Sequence, residues 1–112
     1  MGDRVWTVDE ANAALSRVAA LVERATLARG NGHLTGDRGG HAETALREVL
    51  GELEEEGIVL RDVDQGLVDF PARSPSGRPY LLCWVVGEAE VGWWHWPEDG
   101  FAGRTPLSEP PA

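Results

Sequence analysis

The stretch YLLCWVVGEAEVGWWHW, residues 80–96, holds four of the chain's five tryptophans, and its reading decides the fold. Two apolar runs flank Gly87-Glu88-Ala89-Glu90, which predicts a β-hairpin with strands at about 80–86 and 91–96. Side chains alternate between the two faces of a strand. With an even-numbered loop, Tyr80, Leu82, Trp84 and Val86 share a face with Val91, Trp93 and His95. Leu81, Cys83 and Val85 then share the other with Gly92, Trp94 and Trp96. An odd-numbered loop or a bulge regroups them. Both faces are apolar, whereas an antiparallel sheet with one wet face alternates apolar with polar residues. The hairpin therefore needs cover on two sides.

Upstream lie the elements that can supply one cover. Ile58-Val59-Leu60 and Gly66–Phe70 (GLVDF) read as short strands, the second ended by Pro71, which has no N–H for a ladder. PARSPSGRP, residues 71–79, reads as a turn. Further back, Thr7-Val8-Asp9-Glu10 is a capping box, with Trp6 placed to staple against Ala11. Apolar residues follow at Val8, Ala11, Leu15, Val18, Val22 and Ala25, widened by Ala14 and Leu21, predicting a helix over about 8–28. Residues 29–40 (RGNGHLTGDRGG) carry five glycines and read as a loop. A second helix over about 41–56 is set by Ala42, Ala45, Leu46, Val49, Leu50 and Leu53, with Gly57 at the left-handed C′ position.

The expected fold is α+β: an antiparallel two-helix hairpin on a small antiparallel sheet of three or four strands. A single domain spans 1–112, with the helical hairpin at about 8–56, the sheet at about 58–96 and an irregular tail at 97–112. The other hairpin face is left for the tail (Phe101, Leu107), a ligand or a second subunit.

At 112 residues the chain is long enough for one core, burying roughly 60–70 % of its extended surface. Its formal charge of −9 repels phosphate backbones and anionic lipid. All ten cations are scattered arginines, so no nucleic-acid partner is expected. Cys83 stands alone, which excludes an internal disulfide framework. No apolar run approaches about 18 residues, and Met1–Arg4 lack the order of a signal peptide. The expectation is a cytoplasmic protein with no membrane partner. Phosphate-loop, dinucleotide-loop, GxSxG and HExxH patterns are missing, and those enzyme classes are set aside.

Chemistry concentrates on few residues. His95 titrates near neutral pH and can act as acid, base or metal ligand. Asp69 interrupts an apolar strand, where a carboxylate needs a partner; Arg61, Arg104 and His95 are the choices. Cys83, mid-strand among apolar neighbours, reads as an inert core thiol. His33 and His41 bracket the glycine loop and, with His95 and a carboxylate, can build a mixed metal site.

The strings VWTVDEANAAL, GIVLRDVDQGLVDFPA and GRPYLLCWVVGEAEVGWWHWPEDGFAGRTPL resemble the bacterial domain-of-unknown-function 2203 family from about Val5 to Leu107. That resemblance implies no reaction. It puts emphasis on Glu10, Asn12, Gly66, Asp69, Phe70, Pro71, Cys83, Trp84, Gly87, Glu88, Trp94, His95, Gly100, Phe101 and Arg104. Trp6 stands where Phe is usual in the family.

The expected function is binding of a small ligand or a metal on the Trp/His face of the hairpin. Trp84, Trp93, His95 and Arg104 are the ligand-binding set. The sequence identifies no cofactor; a divalent metal is the candidate, with His95, Asp69, His33 and His41 as its ligand set. Two alternatives stand beside this reading. One is an acid–base enzyme with Asp69 and His95 as catalytic pair and Arg104 holding an anion; the other is a structural homodimer without catalytic role.

Overall fold

The computed structural model describes residues 4–35 and 41–112, with the backbone alone described at 29–35, 41–42 and 101. Helix α1 spans Val8–Thr35 and α2 spans His41–Glu55. Five strands follow: β1 Val59–Asp62, β2 Leu67–Arg73, β3 Pro79–Val85, β4 Trp93–His95 and β5 Thr105–Pro106. They form one antiparallel sheet in sequence order. The class is α+β, with five strands where three or four are expected from sequence. Among the described residues no helix is long and apolar enough to cross a membrane.

The capping box forms: the Glu10 N–H donates to Thr7 Oγ1 at 3.1 Å and the Thr7 N–H to Glu10 Oε1 at 3.0 Å. Ala11, Leu15, Val18, Val22 and Ala25 are all buried, as the helical stripe requires. α1 does not stop near residue 28; it continues through the expected glycine loop to Thr35. Glycine costs a helix interior about 1 kcal/mol, which weakens helix without forbidding it. α2 ends as its sequence dictates. Gly57 takes φ +74°, its N–H donates to the Glu54 carbonyl at 2.9 Å, and the Ile58 N–H donates to the Leu53 carbonyl at 2.9 Å. Glu56, one of three acids crowded at this helix end, is held by a two-pronged Arg17 guanidinium.

Two expectations about the sheet are corrected. Pro71 does not end β2 but lies inside it, opposite Leu81. The N–H and carbonyl of a strand residue point the same way, and the Pro71 carbonyl accepts from the Trp6 N–H at 2.7 Å. The missing donor therefore faces away from β3, where β1 pairs only as far as Asp69 and no ladder bond is lost. The second correction concerns the faces. The β3–β4 connection is residues 86–92, an odd number, and the register pairs Cys83 with Trp93, Leu82 with Trp94 and Leu81 with His95. Trp84 therefore lies on the face opposite Trp93 and His95.

One face, carrying Val68, Phe70, Ala72, Leu82 and Trp84, packs against the helices in a core that includes Trp6, Val18, Val22, Val49 and Leu53. Trp6 meets Phe70 edge-on at 5.3 Å between centroids, so the tryptophan expected as a helix staple packs on the sheet. The outer face carries Leu67, Asp69, Leu81, Cys83, Trp93 and His95. Its cover is the segment after β4: Pro97 and Gly100 lie over Asp69 and His95, and the Arg104 guanidinium sits 4.7 Å from the Trp93 ring centroid. This segment is not irregular, since it contains a 3-10 turn at Phe101–Gly103 and strand β5. Both apolar faces are thus covered within one chain, and covering the hairpin requires no second subunit.

Candidate functional site

Three neighbouring strands put a carboxylate, a thiol and an imidazole on the outer face. Asp69 on β2 stands directly opposite Cys83 on β3, and His95 on β4 reaches across β3 to meet Asp69. The distance from His95 Nε2 to Asp69 Oδ1 is 3.1 Å. Asp69 Oδ2 accepts from Arg61 Nε at 2.7 Å, so both oxygens are engaged. Asp69 is 1 % exposed and His95 2 %, whereas the Arg61 side chain is 47 % exposed and carries the site's charge to the surface. The donor atoms of Asp69, Cys83 and His95 all lie within 4.8 Å of one another.

Hydrogen bonding counts the protons here. His95 Nδ1 lies 2.8 Å from the Trp96 carbonyl, which can only accept, so Nδ1 carries a proton. A neutral imidazole of that tautomer would turn the Nε2 lone pair toward an ionised Asp69. The 3.1 Å contact therefore needs one more proton held between Nε2 and Oδ1. Burial pushes the Cys83 thiol up to about 12 from its ordinary 9.0, with the Asp69 carboxylate adding to the effect and the nearby Arg104 opposing it. The cluster without a metal is a protonated thiol beside a one-proton carboxylate–imidazole pair.

Above it lies a cavity of about 180 Å³, lined by Arg61, Leu67, Asp69, His95, Pro97 and Gly100. The other expected ligand-binding residues are placed elsewhere. Trp84 is buried in the helix-side core and its indole N–H donates to the Glu88 carbonyl at 3.0 Å. Arg104 donates to both carboxylate oxygens of Glu88, at 2.9 and 3.0 Å, while Glu88 Oε1 also accepts from the Val85 N–H at 2.8 Å. Arg104 thereby ties the covering segment to the hairpin loop and does not line the cavity. Trp93 shares the face with His95, beneath Arg104. The side chains of His33 and His41 lie outside the described residues.

Cys83 is the buried thiol the sequence predicts, but its meeting with Asp69 and His95 is not legible there, and Arg61 and His95 are the two of the three candidate partners that reach Asp69. The signal for Cys83 is its pairing with Asp69, which depends on a register set by the turn between β2 and β3 and by the packing of the two faces. Several emphasised polar residues have structural bonds: Glu10 in the cap, Asn12 Oδ1 accepting from the Val91 N–H at 2.7 Å, and Glu88 with Arg104. Asp69, Cys83 and His95 are left as the group brought together beneath a cavity.

Fold and site together define a small α+β protein with a buried carboxylate–thiol–imidazole cluster on the covered face of its sheet. The family model described as Uncharacterized conserved protein (DUF2203) matches residues 32–107, and the chain belongs to that family. Comparison with curated proteins and with solved structures returned no match.

Proposed function

We propose that the protein is a metal-binding module that holds one divalent transition-metal ion between Asp69, Cys83 and His95. The observation that carries this reading is the meeting of three different donor atoms within 4.8 Å on adjacent strands. A mixed oxygen, sulfur and nitrogen set suits zinc and its neighbours, not magnesium or calcium. The second shell supports it. A ligating histidine usually donates its other N–H to a carbonyl or carboxylate, as the His95 Nδ1–H donates to the Trp96 carbonyl, and Arg61 steadies the far oxygen of Asp69.

Charge balance supports it too. Binding releases the thiol proton and the proton between His95 and Asp69, and two protons leave for one dication. The buried charge is unchanged, so the ion enters without a new desolvation penalty of the kind an unpaired charge incurs. Three protein ligands leave a position open toward the cavity, the arrangement of reactive metal sites and not of closed structural ones.

The metal-free acid–base reading has one observation in its favour, the 3.1 Å contact between Asp69 and His95. The nitrogen count works against it. Both ring nitrogens of His95 are engaged inside the protein, so neither is presented to a substrate.

Titration of metal-free protein with Co²⁺, followed by visible absorption, tests the proposal. One equivalent should bring up a thiolate-to-cobalt charge-transfer band that Cys83→Ser abolishes and His95→Gln weakens. No band in folded protein, or a band that survives Cys83→Ser, sinks it.

A further inference from the structure

Away from the cluster, Tyr80, Trp94 and Trp96 form an aromatic group on the helix-side face, at the end of β3 and β4. Their rings meet edge to face, with centroids 5.7 Å apart for Tyr80–Trp94, 6.5 Å for Tyr80–Trp96 and 4.9 Å for Trp94–Trp96. Arg78 stacks on Trp96, its guanidinium carbon 3.6 Å from the ring centroid, and is held there by Glu98. Trp94 is buried, but it does not belong to the core cluster beneath the helices.

Bonded beside this group is the segment Glu109-Pro110-Pro111-Ala112. The Trp94 indole N–H donates to the Glu109 carbonyl at 2.9 Å, and the Ser76 hydroxyl donates to the Ala112 carbonyl at 2.7 Å. Pro111 is buried. Each anchoring bond runs from a side-chain donor of the sheet region to a backbone carbonyl of the segment. That direction fits a stretch whose two prolines have no N–H to offer. Aromatic walls with an indole donor reading the carbonyls of an extended proline segment are the physical basis of polyproline recognition.

We infer that the Tyr80/Trp94/Trp96 aromatic surface recognises proline-rich extended peptides and is occupied in cis by the chain's own Glu-Pro-Pro segment. The partner is a protein segment with a Glu-Pro-Pro core presented in extended form. A flexibly tethered segment acts at an effective concentration of the order of millimolar. A free peptide therefore enters only when it outcompetes the tail or when the tail is weakened. This inference is independent of the metal reading.

The test uses the full chain carrying Pro110→Ala and Pro111→Ala together, which removes the rigid occupant and leaves the sheet untouched. The probe is the peptide Leu-Ser-Glu-Pro-Pro-Ala, and the readout is the Trp94 indole N–H resonance, assigned through Trp94→Phe. The double variant should bind the peptide saturably, about tenfold or more tighter than the unaltered chain does, because the tethered competitor is weakened. The additional substitution Trp94→Phe should abolish binding. If Leu-Ser-Glu-Ala-Ala-Ala binds equally well, or no saturable shift appears at millimolar peptide while the spectrum stays folded, the segment is simple packing and the inference falls. If the unaltered chain is a dimer that the double variant converts to monomer, the aromatic surface serves a second copy and the partner peptide is ruled out. Ser76→Ala gives a second, milder route to loosening the tail and should raise peptide affinity in the same direction.

Discussion

Asp69 stands directly opposite Cys83 in the β2–β3 ladder, and this pairing sets the chemistry of the outer face. A carboxylate and a thiol on facing positions bring their side chains to the same side of the sheet. Two residues after Trp93 on β4 and on the same face, His95 then has only β3 to cross. Burial forbids leaving any of the three unpaired, so each leans on the others.

Removing the carboxylate should separate stability from metal binding. Asp69→Ala strands His95 and the Arg61 contact, at a cost of about 3–5 kcal/mol, the range for breaking a buried pair. Asp69→Asn should cost much less. Its amide N–H can donate to Nε2 and its carbonyl can accept from Arg61, while its neutral oxygen is a poor metal ligand. Urea denaturation followed by circular dichroism measures the first effect, and cobalt titration the second. Equal losses of stability in the two variants would refute the hydrogen-bond account.

Cys83 should be nearly inert in the metal-free fold. With its thiol at about 12, the thiolate fraction at pH 8 is on the order of a thousandfold below that of a thiol at the ordinary value. Iodoacetamide labelling should be slow in buffer and fast in denaturant. Labelling at similar rates in both would mean that the thiol is not shielded.

The same thiol makes stability depend on pH at the alkaline end. The folded chain holds this proton more tightly than the unfolded one, so stability is full below about 9.0 and falls as pH rises toward about 12. Tyr80, also pushed up by burial, acts in the same direction above its ordinary 10.0. Comparing denaturation midpoints of the parent and Cys83→Ala between pH 8 and 11 isolates the thiol's share. A parent slope no steeper than the variant's would refute it.

Gly66 combines a left-handed backbone with a close approach to a neighbouring side chain. It takes φ +68°, and a Cβ there would sit 2.7 Å from Val86 Cγ2. Gly66→Ala should lose about 1–2 kcal/mol from the left-handed conformation alone, plus the cost of displacing Val86. Adding Val86→Ala should restore only part of the steric cost, because the Val86 Cβ, 2.9 Å from the added one, remains. Full recovery in the double variant, read from thermal melts, would show that backbone strain contributes nothing.

Loosening Glu88 should act on the cover above the cluster. Glu88→Ala removes the acceptor shared by Arg104 and the Val85 N–H, and a loss of about 1–3 kcal/mol is expected. Amide exchange at Trp93 should rise relative to that of Leu82, which lies under the helices. Uniform acceleration across both would mean that the covering segment is no separate unit.

Local rules made much of this protein legible. Thr7 and Glu10 mark the start of α1, the stripe from Ala11 to Ala25 marks its buried face, and Gly57 marks the end of α2. These signals act within a turn or two of chain, where spacing is geometry. The α+β class and the need to cover both hairpin faces follow from the same reasoning, as does the choice of His95 among the partners of Asp69, which it meets at 3.1 Å. Non-local balances decided the rest. Whether Trp84 or Cys83 shares a face with His95 turned on one residue of loop length between β3 and β4, because side-chain direction reverses with each step along a strand. Whether Pro71 ended β2 turned on what lay on its donor side, and Trp6 came to occupy it. The Asp69–Cys83–His95 cluster exists only where three strands align, and no spacing along the chain encodes that alignment directly, since a register is chosen by the packing of both faces together.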